Sequence, residues 1–272
     1  MAHRFALGML MMSALLASGT ALGFDDAKYP DLKGRWRAVG NDNHFPDNPP
    51  YTPDYQKIHE AAKAELATGS QAPNPPAYCL PPGMPRQMNG QGGVQFVVTP
   101  EMTHILIDHI QDNRRIYTDG RGWPAELTPT FAGTSIGKWV EEGGSGKYGA
   151  LLIETRGFKG PRGFGADTPM HADNETVIKE RIWIDKQDAD LLHDEFTIAD
   201  HSLAKDWVVT KTYKREAVPV QKIWWREAVC VENNPHLKIA GEDYMLSGDG
   251  KLMPTHAGQL PPDLRYFKPA AK

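Results

Sequence analysis

Histidines and carboxylates recur together along this chain in patterns that could move protons. His193-Asp194-Glu195 lies within a run of strand-forming residues, Leu191–Ile198, while His171 and the Asp200-His201 pair fall in segments that read as loops. Side chains alternate faces along a strand, so His193, Glu195 and Thr197 share one side and Asp194, Phe196 and Ile198 the other. If the faces carrying Glu154, Glu180, His193 and Glu195 point into a barrel, three carboxylates and an imidazole meet there, with Lys211 and Tyr213 on a later strand. Carboxylates set close together raise one another's pKa and can act as an acid–base pair near neutral pH. The other arrangement puts these residues on the solvated face, as cross-strand ion pairs with Lys179, Arg181 and Lys211. His171 and Asp200 would instead meet at a barrel mouth if their loops do, since binding residues concentrate on loops of β scaffolds. Otherwise Asp200 caps a turn. The candidate catalytic residues are therefore His171, His193, Glu195 and Asp200.

A second constellation suits ligand binding. Arg114-Arg-Ile-Tyr-Thr-Asp-Gly-Arg121 places Arg115, Tyr117 and Asp119 on one face and turns so that Arg121 approaches again, followed by Trp123. Two guanidinium groups and a phenol can hold a carboxylate or sulfate in bidentate fashion, or lock the turn through Asp119 and Arg121. Arg115, Tyr117, Arg121, Trp123 and Glu180 are the candidate ligand contacts. No HxH or HExxH spacing occurs, so neither metal nor other cofactor is expected. Gly133-Thr-Ser-Ile-Gly137 lacks the strand–turn–helix surroundings of a nucleophile elbow, and no phosphate loop or dinucleotide fingerprint is present.

These side chains need a scaffold, and the residue pattern specifies one. After Gly34-Arg-Trp36, which opens a first strand, Thr52-Pro53 marks a helix start and an Ala-rich run sustains it until Gly69. A Pro-rich connector, Ala72 to Pro85, follows. Short β-branched and aromatic runs then recur at Val94–Thr99, His104–Ile110, Arg114–Thr118, Ser135–Val140, Ala150–Thr155, Thr176–Asp185, Leu191–Ile198, Trp207–Tyr213 and Lys222–Val229. Many short strands with little helix between them predict a mainly β fold, an antiparallel barrel or sandwich of calycin or lipocalin character, with one N-terminal helix and long loops. The polar tail over 233–272 is expected to wrap the surface of a single domain spanning 24–272, whose core is 94–232 and whose residues 24–93 supply the first strand, helix and connector.

Cys79-Leu-Pro-Pro-Gly-Met-Pro-Arg86, the Arg114–Trp123 segment with its following Pro124, Gly133-Thr-Ser-Ile-Gly-Lys-Trp139, Glu180-Arg181 and Thr197-Ile-Ala-Asp200 together resemble a large family of exported, mostly uncharacterised bacterial proteins. The resemblance covers about Cys79 to Asn233. It implies an exported β-rich domain and leaves the chemistry open. The chain differs from that pattern in carrying His201 after Asp200 and a Gly-rich insertion over Glu141–Tyr148.

Met1 to Gly23 has the build of a secretory leader, with His3 and Arg4, an apolar run from Phe5 to Leu16 and small residues up to Gly23. That run is too short for a transmembrane anchor, which needs roughly 20 apolar residues, so no stable membrane insertion is expected. Cleavage after Gly23 would send the protein to the periplasm or medium, where Cys79 and Cys230, the two cysteines of the chain, are expected to form a disulfide. The net charge of −4, without a basic run, disfavours nucleic acid. The expected function is binding of a small anionic or aromatic organic molecule. The alternative is a metal-independent lyase, isomerase or hydrolase working by His/carboxylate acid–base catalysis.

Overall fold

Nine strands close into one barrel in which each is hydrogen-bonded to its neighbours in sequence order and the ninth returns to the first. The computed structural model of the chain describes residues 24–272, apart from 71–72, 90–91, 109–112, 170, 172, 220–221, 226–229, 231–235, 240–241, 248, 264 and 266–272. The expected leader over 1–23 lies outside the described residues. The strands are β1 (Trp36–Ala38), β2 (Val94–Val98), β3 (Met102–Ile107), β4 (Arg114–Tyr117), β5 (Thr134–Glu141), β6 (Tyr148–Arg156), β7 (Val177–Ile184), β8 (Leu191–Ala199) and β9 (Trp207–Arg215). β1 pairs with both β2 and β9, so the sheet is a closed barrel and not a sandwich. One helix, α1 (Pro53–Ala67), has Pro at its first position and gives way to Gly69 with a positive φ, as the sequence predicts.

Two expectations need correction. The sheet is not wholly antiparallel: β4 and β5 pair in parallel, with Ile116 opposite Ser135. A parallel neighbour requires a long crossover, and the loop over 118–133 supplies it. Gly137 then lies where a Cβ would sit 2.6 Å from Ile116 Cγ2, so this contact requires a residue without a side chain. Residues 222–225 form no strand, and the rest of that expected strand lies outside the described residues. Part of the tail instead forms a hairpin of β10 (His236–Ile239) and β11 (Glu242–Met245), while Thr255 accepts a bond from Ser70 near the end of α1.

Alternation decides what faces inward. Leu192, Phe196 and Ile198 of β8, Ile178 and Ile182 of β7, and Leu151 and Ile153 of β6 are buried in the core. Each such side chain contributes about 1.5–3 kcal/mol by leaving water. Trp36 is fully buried, donates to the Leu32 carbonyl, and is covered by the Arg215 guanidinium 4.3 Å from its ring. Cys79 and Cys230 are joined in a disulfide that closes a loop of 151 residues. Chain entropy alone makes that link worth about 4–5 kcal/mol. Among the described residues, no helix is long and apolar enough to cross a membrane.

Candidate functional site

The barrel presents two polar clusters, one sealed in its interior and one open at an end. The interior cluster draws an inward residue from each of six successive strands: Arg114, Ser135, Thr155, Glu180, Asp194 and Lys211, all buried. Arg114 donates two hydrogen bonds of 2.7 Å to Glu180, and the Ser135 and Thr155 hydroxyls lie 2.9 Å apart beside it. Burial opposes the Arg114 charge, but Glu180 outweighs it and holds the group cationic. Asp194 lies across the β8–β9 ladder from Lys211, yet neither of its oxygens has a hydrogen-bond partner among the described residues. Burial, aided by the Glu180 charge, pushes the Asp194 pKa well above the carboxylate range despite Arg114 and Lys211. Burial likewise lowers Lys211 to about 8 against the pull of Asp194 and Asp42.

The open cluster forms where β7 begins and β8 ends, since Val177 pairs with Ala199. Three segments meet there. The turn after β8 supplies Asp200 and His201, and the loop leading into β7 supplies His171, Asp173, Glu175 and Thr176. The start of α1 supplies Tyr55. Backbone pairing fixes all three: Tyr51 bridges Leu203, the Thr52 amide donates to Ser202, and Arg162 and His171 exchange hydrogen bonds of 3.1 and 2.7 Å. His171 Nε2 lies 2.9 Å from Asp200 Oδ1, and its Nδ1 is 3.1 Å from the Pro169 carbonyl. Asp200 also accepts from the Ser202 amide at 2.8 Å and from the Thr176 hydroxyl, which in turn accepts from the buried Arg162. Burial alone would raise the Asp200 pKa, but the bond and charge of His171, with Ser202 and Thr176, hold it well below the ordinary range. Burial lowers Arg162 to about 10, opposed by Asp200 and Asp173.

The side chains of His171 and Asp200 are inaccessible, whereas that of His201 is 35% exposed and opens the cluster to solvent. His201 Nε2 lies 2.7 Å from the Tyr55 hydroxyl, and its ring stands between Asp173, Glu175 and Asp200, each 3.7 Å away. Burial and these three carboxylates raise the Tyr55 pKa, so its hydroxyl keeps its proton. The arrangement combines an ionised carboxylate, two imidazoles and a neutral phenol, all suited to holding or passing protons.

The other candidates lie elsewhere. Glu180, Lys211 and Tyr213 face the interior, but His193, Glu195 and Glu154 do not: on β8 it is Leu192, Asp194, Phe196 and Ile198 that point inward. Glu195 pairs across from Arg181 and, with Lys138, Leu152 and Glu154, lines an outer groove of about 420 Å³. His193 bonds Asp185 at 3.0 Å near the opposite end of the β7–β8 pair, about 20 Å of strand from Asp200. Hence His171 meets Asp200 and not Glu195, and His193 joins neither cluster. Arg115 is exposed on the outer wall. Arg121 is engaged by Asp119 through bonds of 2.6–3.0 Å and stacks 4.0 Å from the Tyr117 ring, while Trp123 lies 5.1 Å beneath Arg156. Among the described residues none of these four shares a hydrogen bond, ion pair or ring contact with Tyr55, His171, Asp200 or His201, and Arg121 locks its own turn. Ser135 is sealed in the core, as expected of a strand residue and not of a nucleophile.

Sequence reasoning did not place Tyr55, Thr176 or Arg162 in a site. The interior charged residues Arg114, Glu180, Asp194 and Lys211 carried a readable signal, each falling in the phase of apolar strand positions. No protein-family model matches the chain, and no curated protein matches its sequence.

Proposed function

We propose that the protein is exported, to the periplasm or medium, and binds a small organic molecule at the end of the barrel where Tyr55, His171, Asp200 and His201 converge. The leader-like Met1–Gly23 and the Cys79–Cys230 disulfide support export. The observation that carries the binding reading is the convergence itself. Three separate segments place buried, oriented polar groups beneath a solvent-open imidazole and phenol. Asp173, Glu175 and Asp200 make this end acidic, which favours a ligand that presents hydroxyl, amine or other donor groups, with Tyr55 available to pack against an aromatic ring. An anionic ligand suits it less, because the arginines expected to hold one are outside the cluster and Arg121 is already paired.

Native mass spectrometry of the mature protein, purified from the periplasm without reductant, tests the reading. A co-purified organic mass that is lost in a Tyr55→Ala/His201→Ala variant of unchanged circular dichroism is the expected result. A ligand-free wild type, or a mass retained by the variant, contradicts it. The second reading, acid–base catalysis by a lyase, isomerase or hydrolase, is favoured by the ionised Asp200 set against His171. It predicts that the bound molecule is converted to a new mass by wild type and left unchanged by His171→Gln.

A further inference from the structure

The Pro169 carbonyl can only accept a hydrogen bond, so His171 Nδ1 must carry its proton. In a neutral ring, Nε2 then presents a lone pair to Asp200 Oδ1 at 2.9 Å, in a position sealed from solvent. Two acceptors in contact there require a cation between them, either a second proton or a metal ion. His201 is arranged in the same sense. When its Nε2–H donates to Tyr55, its Nδ1 lone pair faces the same Asp200 Oδ1 at 3.7 Å. One ligand atom each from His171, Asp200 and His201 lies within 4.8 Å of the other two. Ligand atoms around a tetrahedral ion lie about 3.4 Å apart, between the two separations seen.

We infer that His171 Nε2, Asp200 Oδ1 and His201 Nδ1 hold one divalent transition-metal ion of the zinc type, with its remaining coordination open to solvent. Two imidazoles and a carboxylate are a donor set such ions take, and a three-ligand site with an open side is the catalytic rather than the structural form. Each ligand has the outer partner that fixes a metal-bound side chain: Pro169 for His171, Tyr55 for His201, and Thr176, backed by Arg162, for Asp200 Oδ2. Asp173 and Glu175 add negative charge at the rim. The inference rests on the reading of this end of the barrel as a binding site, but it needs no organic ligand.

The test uses the mature chain without a histidine tag, dialysed against chelator and titrated with Zn²⁺ by calorimetry, then with Co²⁺ followed by visible absorption. One equivalent should bind, with Co²⁺ bands of low coordination number. His201→Ala and His171→Gln should weaken binding by about 100-fold or more and Tyr55→Phe by about tenfold, while His256→Ala, at an exposed histidine beside Glu65 and apart from the three ligands, leaves it unchanged. Should His171→Gln fail to fold, the half-exposed His201→Ala still decides the question. Failure of wild type to bind one equivalent, or uptake unaffected by His201→Ala, overturns the inference. Absence of metal binding alongside a retained organic mass removes the metal and leaves the binding reading standing. Metal binding without any organic mass does the reverse.

Discussion

Asp194 and Asp200 stand six positions apart, one inside β8 and one just past its end, and both side chains are withdrawn from solvent. Their surroundings drive them in opposite directions. Asp194 has no hydrogen-bond donor on either oxygen among the described residues, and burial pushes its pKa far up. Asp200 receives the Ser202 amide and the Thr176 hydroxyl, faces the His171 ring, and stays ionised. Burial is common to both, so the donors and the neighbouring charges, Glu180 beside Asp194 and His171 beside Asp200, account for the difference. The barrel wall supplies few donors because its backbone groups are spent on the ladder. The turn after β8 has amides and hydroxyls to spare, which is why the carboxylate at the end of the barrel is held toward its ionised form and the one in its middle toward its protonated form.

Removing the better-supported carboxylate should break the comparison most severely. Asp200→Ala leaves His171, Thr176 and the Ser202 amide without their partner, and should lower stability by about 3–5 kcal/mol in urea unfolding at pH 7. Thr176→Val takes away one donor and should cost about 1.5–3 kcal/mol by the same measurement. Asp194→Asn should act in the other direction. The folded state of wild type holds a proton that the unfolded state releases, so stability falls as pH rises above the ordinary carboxylate range. The slope is at most about 1.4 kcal/mol per pH unit. The variant should lose that slope, gaining on wild type as pH rises above the ordinary carboxylate range and before Lys211 titrates. For Asp200 the sign is reversed: its contribution is present above the ordinary carboxylate range and disappears only in stronger acid. The smallest effect belongs to His201→Ala, which should change unfolding free energy by no more than about 0.5 kcal/mol while abolishing retention of the co-purified molecule.

Strand positions were legible because apolar residues recur at every second place, as in Leu192, Phe196 and Ile198, and the Pro-started, Gly-ended helix was legible from its punctuation. Which polar residues face inward was harder. Glu180 and Glu195 are both acids within strands, and the pairing of Glu180 with Phe196 puts them on opposite faces. The clue lay in phase: Asp194 falls in step with the apolar residues of β8, and Lys211 falls between Val209 and Tyr213. The parallel β4–β5 pair was not legible, because the loop over 118–133 fixes a direction that local alternation does not encode. At the open end, the loop residues His171, Asp200 and His201 stood out by type. Tyr55 did not, since 146 residues separate it from His201 and only tertiary pairing brings the start of α1 to that turn.

The opposite ionisation of these two buried carboxylates is read directly by ¹³C NMR. In chelator-treated protein labelled at aspartate, the side-chain carboxyl carbons assigned through Asp194→Asn and Asp200→Asn should titrate far apart. The Asp194 signal should keep the shift of a protonated acid at pH values above the ordinary carboxylate range, and the Asp200 signal should keep the shift of a carboxylate below that range. Two carbons titrating together in the ordinary carboxylate range would contradict the account.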